Sequence, residues 1–300
     1  MANFKGVFPA IITPFDHQGE LNVDAFRQVM ESNIQAGANG FWICGGTGES
    51  VYLTSDEISR VAEASVDQSG GRATTIVHVG STTTSQAVRN AKASANAGAD
   101  AICCVPPFFY GPSEQSLVDF YKTVVDAADG LPLFVYNLPQ STGTEITSDI
   151  METLVREIPE LKGVKHSAPN FENIRNFASL GISVFSGNGY MLLAALCNGA
   201  IGGIDGPLNI APQLWVEVYN HFQSGDIQRA MDAQERANKL MDLTRSSLFP
   251  AVFKHLVGEQ VGVDCGDPRP PLPALSKAAA QELSQKADSL GLLPKPAAVR

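Results

Sequence analysis

Three short segments of this chain carry groups suited to chemistry on a carbonyl compound. Lys165 stands in Leu161-Lys162-Gly163-Val164-Lys165-His166-Ser167, an apolar segment that reads as a buried strand. A charged amine is costly to hold away from water, so burial favours the free amine, a nucleophile toward carbonyls. The alternative is a surface lysine at a strand end. Side chains alternate along a strand, so Lys162 and Lys165 point to opposite faces and only one is a candidate. With Lys165 inward, Val164 packs under the covering helices. Lys92, Lys122, Lys239, Lys254, Lys277 and Lys286 lie instead in helical-looking polar stretches.

The second segment is Gly45-Gly46-Thr47-Gly48-Glu49-Ser50. Its glycines expose backbone N–H groups beside the Thr47 hydroxyl, a nest for a carboxylate or phosphate. It lacks the Gly-Lys-Ser/Thr ending of a nucleotide-binding loop, and a plain strand-to-helix turn is the competing reading. Glu49 fits a supporting or helix N-terminal role, where the helix dipole favours a carboxylate. The third segment is Tyr136-Asn137-Leu138-Pro139. Tyr136 reads either as a core aromatic or as a proton shuttle beside an amine. His78, His166 and His255 lack metal-site spacing and read as structural or surface residues.

These groups need a scaffold that brings strand ends together. Short apolar strands are expected at 7–13, 40–45, 74–80, 101–106, 133–138, 163–166, 183–186 and 200–204. Helical spacing fills 23–36, 55–68, 85–97 and 113–128. Strand–helix alternation argues for parallel strands covered on both faces. A weak repeat agrees: Ala36-Gly37-Ala38-Asn39-Gly40-Phe41 resembles Ala97-Gly98-Ala99-Asp100-Ala101-Ile102, with a looser copy from Asn198. Each copy places a glycine where a helix ends before the next strand. About eight units in roughly 220 residues predict an α/β protein, a (β/α)8 TIM barrel. A doubly wound open sheet is the runner-up; Gly187-Asn188-Gly189 lacks the third glycine of a dinucleotide fingerprint. Residues 225–300 read as a C-terminal helical region packed on the 1–224 barrel, with helices at 226–245, 246–258 and 274–289. The last residues, 293–300, read as loose.

With 300 residues and 17% charged residues, the chain suits one large barrel or two smaller domains. A net charge of −10 offers no basic footprint for nucleic acid or an anionic membrane. Five cysteines without zinc-ligand spacing fit a reducing compartment, and Cys103 and Cys104 read as small core residues. No apolar leader or membrane-length apolar run is present, so a soluble cytoplasmic protein is expected.

Taken together, Gly45-Gly46-Thr47-Gly48-Glu49, Tyr136-Asn137-Leu138-Pro139 and Gly163-Val164-Lys165 resemble, in order and separation, the class I pyruvate-dependent aldolases. That family includes dihydrodipicolinate synthase and N-acetylneuraminate lyase. The resemblance runs from about Phe4 to at least Phe222. It implies that Lys165 forms a Schiff base with pyruvate or a longer 2-oxo acid, with no metal or other cofactor. It implies that Tyr136 relays protons. Thr47 and the N–H groups around Gly46, Thr47 and Gly48 would hold the substrate carboxylate. Gly187 and Ile204 match positions lining the pyruvate end, or are packing residues. A homotetramer is also implied.

The departures carry information. Ser141 stands where dihydrodipicolinate synthases usually have an arginine for the second substrate's carboxylate. Gly189 and Tyr190 stand where sialic-acid lyases usually carry an Asp-Glu pair for sugar hydroxyls. Thr74-Thr75-Ile76-Val77-His78-Val79-Gly80 and Pro107-Phe108-Phe109-Tyr110 look more lyase-like than synthase-like. Either Phe109 or Tyr110 occupies the position of a tyrosine that many relatives lend across a subunit interface. Gly46 replaces a common hydroxyl residue. The expected activity is therefore a Schiff-base lyase or aldolase on a 2-oxo acid, with specificity set around Ser141, Asn188–Tyr190 and 205–209. 4-Hydroxy-tetrahydrodipicolinate synthase, N-acetylneuraminate lyase and a 2-keto-3-deoxy sugar acid aldolase or dehydratase remain alternatives. Two rivals come from other classes: a metal-dependent class II aldolase, and a non-enzymatic binder of small carboxylates on a degenerate barrel.

Overall fold

Eight short segments, buried at nearly every residue, pair in parallel: β1 (Gly6–Pro9), β2 (Gly40–Ile43), β3 (Thr74–His78), β4 (Ala101–Cys104), β5 (Leu133–Asn137), β6 (Leu161–His166), β7 (Ser183–Ser186) and β8 (Gly202–Asp205). The computed structural model describes residues 2–245 and 248–293. The sheet runs β1-β8-β7-β6-β5-β4-β3-β2, and a parallel bridge between Ala10 and Trp42 closes it. The expected (β/α)8 TIM barrel is the observed architecture.

The helices are α1 (Val23–Gln35), α2 (Ser55–Ser69), α3 (Thr84–Asn96), α4 (Glu114–Ala127), α5 (Pro139–Thr142), α6 (Ser148–Glu157), α7 (Asn173–Ser179), α8 (Leu192–Cys197), α9 (Pro212–Gln223), α10 (Ile227–Thr244), α11 (Ala251–Val261) and α12 (Lys277–Leu290). Side-chain oxygens of Asn22, Thr54, Thr83 and Ser113 accept amide hydrogens at the starts of the first four. Each cap satisfies a donor that has no partner within its helix. Beyond the barrel, α10 packs on α9, α11 reaches α1, and α12 lies against α10 and α11.

Strand parity divides the core in two. Phe8, Trp42, Ile76, Phe134, Tyr136, Phe185 and Ile204 fill the barrel interior. Val7, Phe41, Val77, Val135, Val164 and Val184 face the helices. The interior is floored by aromatic rings: Phe8 and Phe134 lie 5.0 and 6.0 Å from Phe185, centroid to centroid. Gly163 makes room for them, because a Cβ there would stand 2.6 Å from the Phe134 ring and 2.3 Å from the Ser183 carbonyl oxygen. The strand therefore narrows to glycine two residues before Lys165.

Several strands end sooner than expected. The run 7–13 stops pairing regularly at Pro9, although Ile11 and Ile12 stay fully buried in the loop beyond it. The apolar run marked burial there rather than strand. The final strand begins at Gly202 instead of 200, and α12 starts at Lys277 instead of 274. The helix expected at 246–258 is α11, beginning at Ala251; its residues 246 and 247, and 294–300 of the tail read as loose, lie outside the described residues. Among the described residues no helix is long and apolar enough to cross a membrane.

Candidate functional site

Lys165 is the penultimate residue of β6, inward by parity and 4% exposed. Its register partner on β5 is Tyr136. That pairing sets the Lys165 Nζ 4.4 Å from the Tyr136 ring centroid and 5.3 Å from that of Trp42. Tyr136 meets the Trp42 ring edge-on at 5.5 Å. No carboxylate pairs with Lys165 among the described residues. The amine thus stands against aromatic faces, which attract a cation without neutralising it. Lys162 is exposed and donates to the Pro159 carbonyl, as opposite parity requires.

His166 faces the helices. Its Nδ1 accepts from Asn137 and its Nε2 donates to the Asn170 carbonyl, so it holds loops rather than substrate. Asn137 also ties the end of β5 to Ile146 through two hydrogen bonds of 2.9 and 3.0 Å. The asparagine of the Tyr-Asn-Leu-Pro segment fixes the loop that follows Tyr136.

The glycine-rich turn closes on itself. Glu49 and Ser50 donate their amides back to Gly46 and Gly45, while the amides of Gly46, Thr47 and Gly48 donate to no other described residue. Thr47 is buried, with its Oγ1 facing Gly206 at the end of β8. Gly48 approaches the loop after β1 closely, and its carbonyl accepts from Thr13 Oγ1 at 2.8 Å. Gly46 is exposed, with open space where a side chain would go. Cys44 and Glu49, at the two ends of the turn, hold φ values of 53° and 61°. Non-glycine residues in this region store about 1–3 kcal/mol each and need surroundings that hold them there. For Glu49 the surroundings are a buried ion pair: Lys254 Nζ lies 2.7 Å from Oε1, and the Arg269 amide donates to Oε2.

Lys254 was expected in a polar helical stretch. It is instead 2% exposed on α11, because that helix is apolar nearly all round and sinks against the barrel. Burial holds it below the usual lysine value, against the pull of Glu49.

Gly187 follows the end of β7. A Cβ there would stand 1.8 Å from Ser167 Oγ, so glycine is required for that approach. Ser167 Oγ is itself buried with no hydrogen-bond partner among the described residues. Ile204 is fully buried in the barrel interior. Tyr110 and Phe109 are 81% and 84% exposed on the loop after β4 and pack on each other at 4.9 Å. Asn188 caps a short turn through Tyr190, whose hydroxyl donates to Asp242 at 2.9 Å. Asp205 takes amide hydrogens from Gly189 and Gly206. Burial pushes its carboxyl above the usual range, against those bonds and nearby Lys165.

Above Tyr136 a cavity of about 220 Å³ opens toward the barrel mouth, reaching Gly46, His78 and Ser141. His78 was read as structural, yet it lines this cavity and meets the Tyr136 ring edge-on at 6.3 Å. Burial holds its imidazole down to about 4, with Lys165 acting in the same direction. Strand parity would have found it, since it alternates with inward Ile76. Phe249 and Leu272 of the C-terminal region also line the cavity, and no sequence pattern marks them. Among the described residues no cluster of three or more His, Cys, Asp or Glu is arranged for a metal ion.

The profile of the Dihydrodipicolinate synthetase family matches residues 3–290. An N-acetylneuraminate lyase from Citrobacter koseri is 33% identical over 244 residues, spanning 80% of this chain and 82% of that one. One from Salmonella agona is 32% identical over 297 residues, covering 94% and 98%. A crystal structure of a dihydrodipicolinate synthase from Aquifex aeolicus superposes with a TM-score of 0.90 at 28% identity, over 97% of this chain and all (100%) of that one. With the lysine, tyrosine and glycine-rich turn brought to one end of the barrel, the chain belongs to the dihydrodipicolinate synthetase family and is a class I, Schiff-base-forming carbon–carbon lyase or aldolase.

Proposed function

We propose that Lys165 attacks the ketone carbon of pyruvate, or of a longer 2-oxo acid, and expels water to form an imine. The protonated imine is an electron sink, so a proton can leave C3 or the C3–C4 bond can break without a metal. Tyr136, paired in register with Lys165, moves the protons of imine formation and of C–C bond making or breaking. The unpaired amides of Gly46, Thr47 and Gly48, with the Thr47 hydroxyl, hold the carboxylate and so fix the ketone against the amine. The observation that carries this reading is the buried amine of Lys165, set against Tyr136 and Trp42 with no carboxylate to neutralise it. The relatives named N-acetylneuraminate lyase favour cleavage over synthesis as the physiological direction.

Intact-protein mass spectrometry after incubation with pyruvate and borohydride tests the mechanism. The expected result is one reduced adduct, mapped to Lys165 and absent from Lys165→Ala. No adduct on the unsubstituted chain would overturn the reading. A cytoplasmic homotetramer is part of the same proposal. It draws on the family resemblance and on the exposed Phe109–Tyr110 pair; sedimentation as a monomer or dimer would remove it.

A further inference from the structure

The geometry points to an apolar partner: we infer that the carbonyl compound joined to pyruvate, or released from it, is an aromatic or short-chain alkyl aldehyde. This rests on the Schiff-base reading and goes beyond it to the substrate class. The cavity that starts at Tyr136 is where that half of the substrate must lie, because the other end of the amine is closed by the aromatic floor of the barrel. Its apolar walls include Val105, Phe108, Leu138, Phe249 and Leu272. An apolar cavity of about 150 Å³ accepts a benzene-sized ring. The roughly 220 Å³ here holds a single ring or short alkyl chain with its carbonyl end at Tyr136.

Among the polar groups on or near these walls the acidic and basic ones are already held, while Ser50, Tyr52 and Ser141 each bring one hydroxyl. The Glu49 carboxylate on the wall is held by Lys254 and the Arg269 amide. His78 accepts from the Val105 amide through Nε2 and stays neutral, so it offers no cation to a second carboxylate. Ser141 adds one small hydroxyl and no positive charge to the wall. Toward β7 and β8, Asp205 is occupied by two backbone amides and Tyr190 by Asp242. Beyond those few hydroxyls a polyhydroxylated chain would lay its own against carbon, where each loses its water without gaining a partner. A ring or alkyl chain gains from the same surface.

The step balances without an oxidant or reductant. The enamine C3 forms a bond to the aldehyde carbon, and the aldehyde oxygen takes a proton to become the C4 hydroxyl. Water then adds to the imine, returning the Lys165 amine and the product ketone. The product is a 4-hydroxy-2-oxo acid with an apolar group on C4; cleavage is the reverse.

The test uses the full chain with pyruvate and, in separate reactions, benzaldehyde, D-erythrose or succinic semialdehyde. Products are followed by liquid chromatography and mass spectrometry, with borohydride trapping of pyruvate alone in parallel. The expected result is a pyruvate adduct together with kcat/KM for benzaldehyde at least about tenfold above the other two aldehydes. An adduct with equal or better use of erythrose or the semialdehyde, or with no C–C bond to any of the three, overturns the inference and leaves the Schiff-base reading standing. No adduct removes that reading and the inference with it.

Discussion

Lys165 and Lys254 are both shut away from water, at 4% and 2% exposure, yet their surroundings are opposite. Lys254 has a full set of partners: the Glu49 carboxylate at 2.7 Å, the Asp267 carbonyl at 3.2 Å and the Phe15 ring face at 4.0 Å. Among the described residues Lys165 has ring faces and no ion pair, with the Asp205 carboxyl acting on it from beyond ion-pair distance. Burial by itself therefore says little about what a lysine does. Among the described residues the Glu49 carboxylate holds the Lys254 amine in an ion pair, whereas no such partner occupies the Lys165 amine. The two sites meet through Glu49, which closes the glycine-rich turn at the barrel mouth while its carboxylate reaches Lys254 on the C-terminal region. Lys254 holds the backbone of the turn through Glu49, and under the proposed mechanism Lys165 is the amine that reacts.

Substituting each lysine by methionine, which keeps most of the volume, tests this contrast. Lys254→Met leaves the Glu49 carboxylate buried without its cation, and breaking a buried pair from one side costs about 3–5 kcal/mol. Lys165→Met removes an unpaired amine from among aromatic rings, so the urea midpoint should stay level or rise while pyruvate trapping disappears. Urea titration of the two variants beside the unsubstituted chain reads both effects. Equal loss of stability in the two would abolish the distinction.

Much of the Lys165 region is legible in the sequence, and almost none of the Lys254 region is, for a physical reason. Lys165 and Tyr136 sit on strands, where a period of two assigns the inward face and neighbouring parallel strands meet in register. Eight apolar segments and the glycines before them suffice to place those ends together. Lys254 lies on a helix whose apolar residues run nearly all round, so no face is singled out, and its carboxylate partner comes from the far end of the chain. Phe249 and Leu272 lie in irregular segments outside any periodic pattern, so their place in the cavity depends on how the C-terminal helices pack. Strand ends overran for a related cause: Ile11 and Ile12 are apolar because they are buried, and burial continues past the last ladder hydrogen bonds. His78 was within reach of the parity argument and was missed because histidine was weighed only as a metal ligand.

His78 extends the comparison to a third buried ionisable group. It lies in the Lys165 region, receives no opposite charge, and responds to burial by staying neutral where Lys254 responds by pairing. Its imidazole is held at about 4 against 6.5 for the free side chain. As pH falls through 6.5 the unfolded chain takes up a proton that the folded chain refuses until near 4. The unfolded state thus binds more protons in that window, and stability must fall as the solution is acidified across it. The full contribution is on the order of 3 kcal/mol, present above pH 6.5 and lost by about pH 4. His78→Gln keeps a neutral polar side chain and removes the basic nitrogen. Urea midpoints taken from pH 7 down to pH 4 are expected to drop more steeply for the unsubstituted chain than for this variant. Parallel slopes would take the acid sensitivity of this window away from His78 and would leave the barrel mouth without the uncompensated burial that sets it apart from the Lys254 seam.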